Sequence, residues 1–110
     1  KMCIYCTKEE ETMLPSLAFV PHYRLDDHLI LVEAVDKYKG ILKMMDYLQG
    51  NKDDVVVFGD GVNDLDMFRQ APTSIAMGNG VESLKKIATY ITSNASDDGI
   101  YAACEHFGWI

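Results

Sequence analysis

The side chains best suited to chemistry cluster in Gly59-Asp60-Gly61-Val62-Asn63-Asp64. They follow an uninterrupted apolar run, Val55–Phe58, and precede the helix-forming stretch Leu65–Ala71, which Pro72 ends. That order places them where a strand ends and a helix begins, the position at which open α/β sheets bind ligands. Two glycines let the backbone turn tightly and approach a ligand. Asp60 and Asp64 can then converge on one point from the turn and from the helix start. Hard carboxylate oxygens suit Mg²⁺, which takes one or two carboxylates together with water and phosphate oxygens. Asn63 is neutral and can donate, so it can meet a phosphate oxygen without repelling it.

Spacing alone leaves a plainer reading open, in which Asp and Asn cap the helix and Gly turns the chain. Three other site types are excluded. A dinucleotide fingerprint needs a third glycine where Asp64 stands, and the Gly-Lys-Ser/Thr ending of a P-loop is missing. An EF-hand opening at Asp60 would need an oxygen ligand at Val62 and glycine at Leu65. The formal net charge of −7 opposes sequence-independent nucleic-acid binding, which requires a basic surface. No apolar stretch approaches the ~20 residues of a membrane span. Cys3 and Cys6 have the spacing of a redox or zinc pair, but no second pair follows, and His22, His28 and His106 show no ligand-like spacing. Three cysteines in a charged chain fit reduced thiols and a cytoplasmic location.

The elements that must position this loop fall into two rhythms. From Asp36 onward helices and strands alternate. Ile41, Leu42, Met45 and Leu48 recur at helical spacing with Gly50 behind them, and strand Val55–Phe58 and helix Leu65–Ala71 follow. Strand Ser74–Met77, helix Val81–Ala88, strand Tyr90–Thr92 and a last helix through Ile100, Ala103, Cys104 and Phe107 complete the series. Asp97 or Asp98 is available to cap that last helix. This alternation predicts a parallel sheet covered by helices, with Val55–Phe58 buried on both faces. Residues 1–36 read differently: a strand over Lys1–Cys6, a short helix opened by a capping box at Thr7 and Glu10, and a hairpin. The hairpin runs are Ser16–Arg24 and Leu29–Val35, with Pro21 consigning the first to a sheet edge.

Val55–Met67 (VVVFGDGVNDLDM), followed by Ala76-Met77-Gly78-Asn79-Gly80 and by Asp98-Gly99-Ile100, resembles the C-terminal half of a Cof-type phosphatase of the haloacid dehalogenase (HAD) superfamily. The family pairs GDGxND with AMGNA, so Gly80 departs from the usual alanine. Lys39-Gly40 matches the family's motif lysine, and the likeness extends from Leu29 to about Phe107. The resemblance implies an α/β Rossmann-like (HAD-like) core with helices on both faces, a mobile α+β cap, Mg²⁺ and an aspartyl-phosphate intermediate. By position, Asp60 and Asp64 would hold the metal. Lys39 would offset phosphoryl charge, Asn63 would contact phosphate, and Asn79 would bind substrate or support its loop. Residues 1–36 would be the end of the cap and 37–110 the second half of the core.

The family's N-terminal Asp-x-Asp-Gly turn, source of nucleophile and general acid, has no counterpart here; the one Asp-x-Asp is Asp64-Leu65-Asp66. With Lys1 first, the expectation is the C-terminal portion of a longer Mg²⁺-dependent phosphomonoester hydrolase acting on a small phosphorylated metabolite, such as a sugar or cofactor phosphate. That portion alone should turn over poorly or not at all. The rival expectation is a non-catalytic piece that folds or dimerises through an exposed sheet edge. Phosphoryl transfer between sugar positions is a third.

Overall fold

A computed structural model describes residues 2–33 and 36–110. It divides into two compact units, Lys1–Val35 and Asp36–Ile110.

In the first unit, β1 (Met2–Tyr5), β2 (His22–Asp26) and β3 (Leu29–Val32) form an antiparallel sheet in the order β1-β3-β2. Met2 faces Val32 and His22 faces Val32 from the other side, with an irregularity between Arg24 and Asp26. The capping box opens α1 (Lys8–Glu11): Thr7 Oγ1 accepts from the Glu10 amide at 3.2 Å and Glu10 Oε2 from the Thr7 amide at 2.8 Å. The expected strand over Ser16–Arg24 is corrected. Pro15–Phe19 is a 3-10 turn with Pro at its start, and β2 begins only at His22, just after Pro21, which has no N–H to give the ladder. Lys1, Ala34 and Val35, at the ends of the expected strands Lys1–Cys6 and Leu29–Val35, lie outside the described residues. Arg24 ties the unit together, donating to Glu11 Oε2 at 2.8 and 3.0 Å and to the carbonyls of Cys6, Thr7 and Asp26. Its apolar centre is small, Leu17, Ile30 and Leu31.

In the second unit, β4 (Val56–Gly59), β5 (Thr73–Ala76) and β6 (Tyr90–Ile91) make a parallel sheet in the order β4-β5-β6. Helices α2 (Lys37–Leu48), α3 (Leu65–Gln70), α4 (Glu82–Lys85) and α5 (Gly99–His106) connect and cover it. The alternating α/β reading thus stands. The core gathers Tyr38, Val55, Val57, Met67, Phe68, Ala76 and Leu84, with Ile41, Leu42 and Met45 of α2 packed against it. β4 alternates half-buried and buried residues rather than being buried on both faces, so one of its faces is less fully covered than the other. The end of α2 also differs from expectation. Gln49, not Gly50, takes the left-handed conformation (φ 52°), and the Gly50 amide closes on the Met45 carbonyl at 3.0 Å. Asp98 stands at the N-cap of α5, also left-handed at φ 52°, and its side chain makes no capping bond.

Candidate active site at the carboxyl end of the parallel sheet

The loop after β4 turns on Gly59, where no side chain fits. A Cβ there would lie 2.7 Å from Phe68 Cε2 and 2.8 Å from Asp64 Oδ2, so helix α3 and the acidic loop close directly on the backbone. A 3-10 turn, Val62–Asp64, then leads into α3 and folds Asp64 back over the strand end. Asp64 is 4% exposed. Its Oδ2 accepts from the amides of Asp60 (3.0 Å) and Gly61 (3.1 Å), and its Oδ1 accepts from Lys37 Nζ at 2.6 Å. Burial by itself would raise the Asp64 pKa. The Lys37 hydrogen bond and the Gly61 and Asp60 amides outweigh it and hold the carboxyl below its ordinary value.

Lys37 is the cation at this site, and Lys39 is not brought to it. On α2 the two lysines flank the buried Tyr38, each about 100° around the helix from it, on opposite sides. Lys37's flank is the one that meets Asp64. Lys39 is exposed, and its amide is taken by the Asp36 N-cap at 2.9 Å. The sequence reading placed the motif lysine at Lys39-Gly40, two residues further along α2, and no sequence signal separated the two lysines.

Asp60 is exposed, and its carboxylate makes no hydrogen bond or ion pair among the described residues. Asp60 and Asp64 are therefore brought together but not made equivalent. A carboxylate has about four acceptor positions. Three on Asp64 are occupied, whereas those of Asp60 are free for a cation. Asn63 is half-buried, its Oδ1 placed over Gly61, where a Cβ would approach it to 2.6 Å. Asn79 lies on the turn after β5, and its Oδ1 accepts from the Ala95 amide at 2.8 Å, a bond between loops. Among the described residues no group of three or more His, Cys, Asp or Glu could hold a metal ion. An apolar cavity of about 490 Å³ lined by Met77, Gly99, Ile100 and Cys104 includes none of these acids.

This arrangement, two acids and a lysine at the end of a parallel strand, has relatives. The sequence pattern of the haloacid dehalogenase-like hydrolases matches residues 5–103. This chain belongs to that family. It is 34% identical to YkrA of Bacillus subtilis over 98% of its own length and 43% of that protein's. It is 33% identical to phosphoglycolate phosphatase 1 of Saccharolobus solfataricus, covering 84% of this chain and 38% of the other. Among solved structures it superposes on the HAD subclass IIB sugar phosphatase BT4131 with a TM-score of 0.77 at 33% identity, covering 98% of this chain and 43% of that one. The chain thus spans less than half the length of these relatives, and the match runs through both of its units. No helix among the described residues is long and apolar enough to cross a membrane.

Proposed function

We propose that this chain supplies the cation-binding and lysine half of a Mg²⁺-dependent phosphomonoester hydrolase of the Cof type, acting on a small phosphorylated metabolite such as a sugar or cofactor phosphate. The observation that carries it is the Lys37–Asp64 pair beside the unpartnered Asp60 carboxylate at the carboxyl end of β4. Relatives that act on phosphoglycolate and on sugar phosphates support the substrate class. The donor set fits a hard cation: Asp60 would hold it directly, and Asp64 through its remaining lone pair or through water. Bound there, Mg²⁺ supplies Lewis-acid stabilisation of phosphoryl oxygens.

The chain's own groups have distinct parts. Lys37 spends one N–H on Asp64 and keeps two for an incoming phosphate or carboxylate, offsetting the repulsion between two anions. This is the role that the sequence reading gave to Lys39. Asp64 fixes that ammonium and, through the Asp60 and Gly61 amides, the loop itself. Asn63 can present its amide N–H groups to a phosphate oxygen. The nucleophilic carboxylate, which attacks phosphorus, expels the alcohol and is released by water, would come from outside these residues. In this reading Lys1–Val35 is the returning part of a cap and Asp36–Ile110 the second half of the core. The setting would be cytoplasmic, with neither nucleic acid nor membrane as partner.

The product of the reading frame that encodes this chain should release inorganic phosphate from a panel of phosphoglycolate and sugar phosphates. Release should stop on chelation and resume with Mg²⁺. Turnover insensitive to chelation would overturn the metal assignment. A second reading rests on β4 having, among the described residues, a strand partner on one edge only, which leaves the other edge for strand addition: the chain would self-associate without turnover. Concentration-dependent sedimentation together with silence toward every ester would favour it.

A further inference from the structure

Three loops leave the carboxyl ends of β4, β5 and β6, and they are packed backbone against backbone. The turn after β5 touches the acidic loop at Gly80, where a Cβ would lie 2.9 Å from the Met77 carbonyl and 3.2 Å from Asp60 Cα. The same turn hydrogen-bonds to that loop, Val81 N–H donating to the Asp60 carbonyl at 2.9 Å. On its other side it touches the loop after β6. A Cβ at Gly78 would lie 2.7 Å from Asn94 Oδ1 and 2.9 Å from the Asn94 amide, and Gly78 N–H donates to the Ser93 carbonyl at 3.0 Å. Across this second seam there is one side-chain bond from the turn itself, Ala95 N–H to Asn79 Oδ1 at 2.8 Å. The loop beyond is itself anchored, Thr92 Oγ1 donating to the Gly99 carbonyl at 2.6 Å.

Asn79 sits one residue from Gly80 and two from Val81, the residues that meet Asp60. Its side-chain oxygen accepts from a backbone amide 16 residues away, which ties the side chain to the loop after β6. We infer that Asn79 is a positioning residue: it latches the turn after β5 onto the loop after β6, and the turn in turn fixes the backbone of Asp60. Gly80 belongs to the same device. Glycine at this position lets the turn approach the Asp60 backbone where a larger residue would have to displace it. The consequence for cation binding rests on the role proposed above for Asp60; the latch itself does not.

The test uses the 110-residue chain, ¹⁵N-labelled, as wild type, Asn79→Ala and Asn79→Asp, the last of which retains an acceptor oxygen at the same place. Amide hydrogen exchange is read at Val81, with Ile75 and Phe58 as core controls, and Mn²⁺ is titrated while broadening of the Asp60 and Gly61 amides is followed. Asn79→Ala should speed exchange at Val81 about fivefold, as expected for one lost hydrogen bond, with the controls unmoved. It should raise the Mn²⁺ midpoint by a similar factor. Asn79→Asp should restore both. Unchanged Val81 exchange in Asn79→Ala, or equal acceleration at Val81 and at the core controls, overturns the latch. Selective acceleration at Val81 in a chain whose wild type shows no Mn²⁺ response supports the latch and overturns the metal reading of Asp60 instead.

Discussion

Replacing Lys37 by Met separates the two lysines. The substitution keeps most of the aliphatic length of the side chain and removes the ammonium 2.6 Å from Asp64 Oδ1. The remaining carboxylate keeps its two amide donors but loses its counter-ion in a place where its side chain is 6% exposed. Breaking a fully buried pair costs ~3–5 kcal/mol, and an exposed one ~0–1 kcal/mol. Here one partner is buried and the other, Lys37, is 40% exposed, so solvent screens part of the pair. The expected loss is about 2 kcal/mol. For a unit of this size that lowers Tm by roughly 8–16 °C. Lys39→Met, at an exposed site with no side-chain partner among the described residues, should stay within about 0.5 kcal/mol of wild type. Thermal unfolding followed by circular dichroism at pH 7 measures both.

The pH dependence provides an internal check. The Asp64 carboxyl is held below its unfolded value, so its contribution is complete above about pH 4 and is lost as pH falls through the lower folded value. The gap between wild type and Lys37→Met should therefore close below that range. Equal stability of the Lys37 and Lys39 variants at pH 7 would refute the reasoning, as would a gap that persists unchanged at pH 2.

Two further outcomes follow from local geometry. Gly59→Ala drives a methyl group into Phe68 and Asp64 and should destabilise by about 1–3 kcal/mol, read by urea unfolding. Gln49→Gly, at a left-handed position past the end of α2, should stabilise by about 0.5–1 kcal/mol in the same assay, since glycine accepts that conformation without a Cβ penalty.

What could be read from sequence was what local patterning controls. Val55–Phe58 between polar residues and glycine could only be a strand, and Pro72 fixed where α3 stops. Thr7 and Glu10 announced their capping box because both partners lie within one turn. The misreadings arose where local composition and tertiary demand part. Leu17-Ala18-Phe19-Val20 leans toward strand, yet Pro15 starts a 3-10 turn and Leu17 is wanted in the small core of its unit. Lys37 and Lys39 are chemically identical and adjacent to the same helix start. Only the angle around α2 relative to Asp64, 27 residues away, distinguishes them. For Asn79 the sequence left substrate binding and loop support side by side, and the latch partner could not be read, because Ala95 contributes a backbone amide that no sequence pattern marks.

The central claim is that Asp60 carries the cation on which phosphate-ester hydrolysis depends. The most direct measurement is Mg²⁺-dependent release of p-nitrophenol from p-nitrophenyl phosphate by the product of the encoding reading frame, as wild type and as Asp60→Asn. The substitution keeps the size of the side chain but removes the charge a hard cation requires. The wild type should turn over, and Asp60→Asn should lose about a hundred- to a thousandfold at unchanged Tm, as for other losses of electrostatic transition-state stabilisation. Comparable Mg²⁺-dependent turnover in both proteins would contradict it.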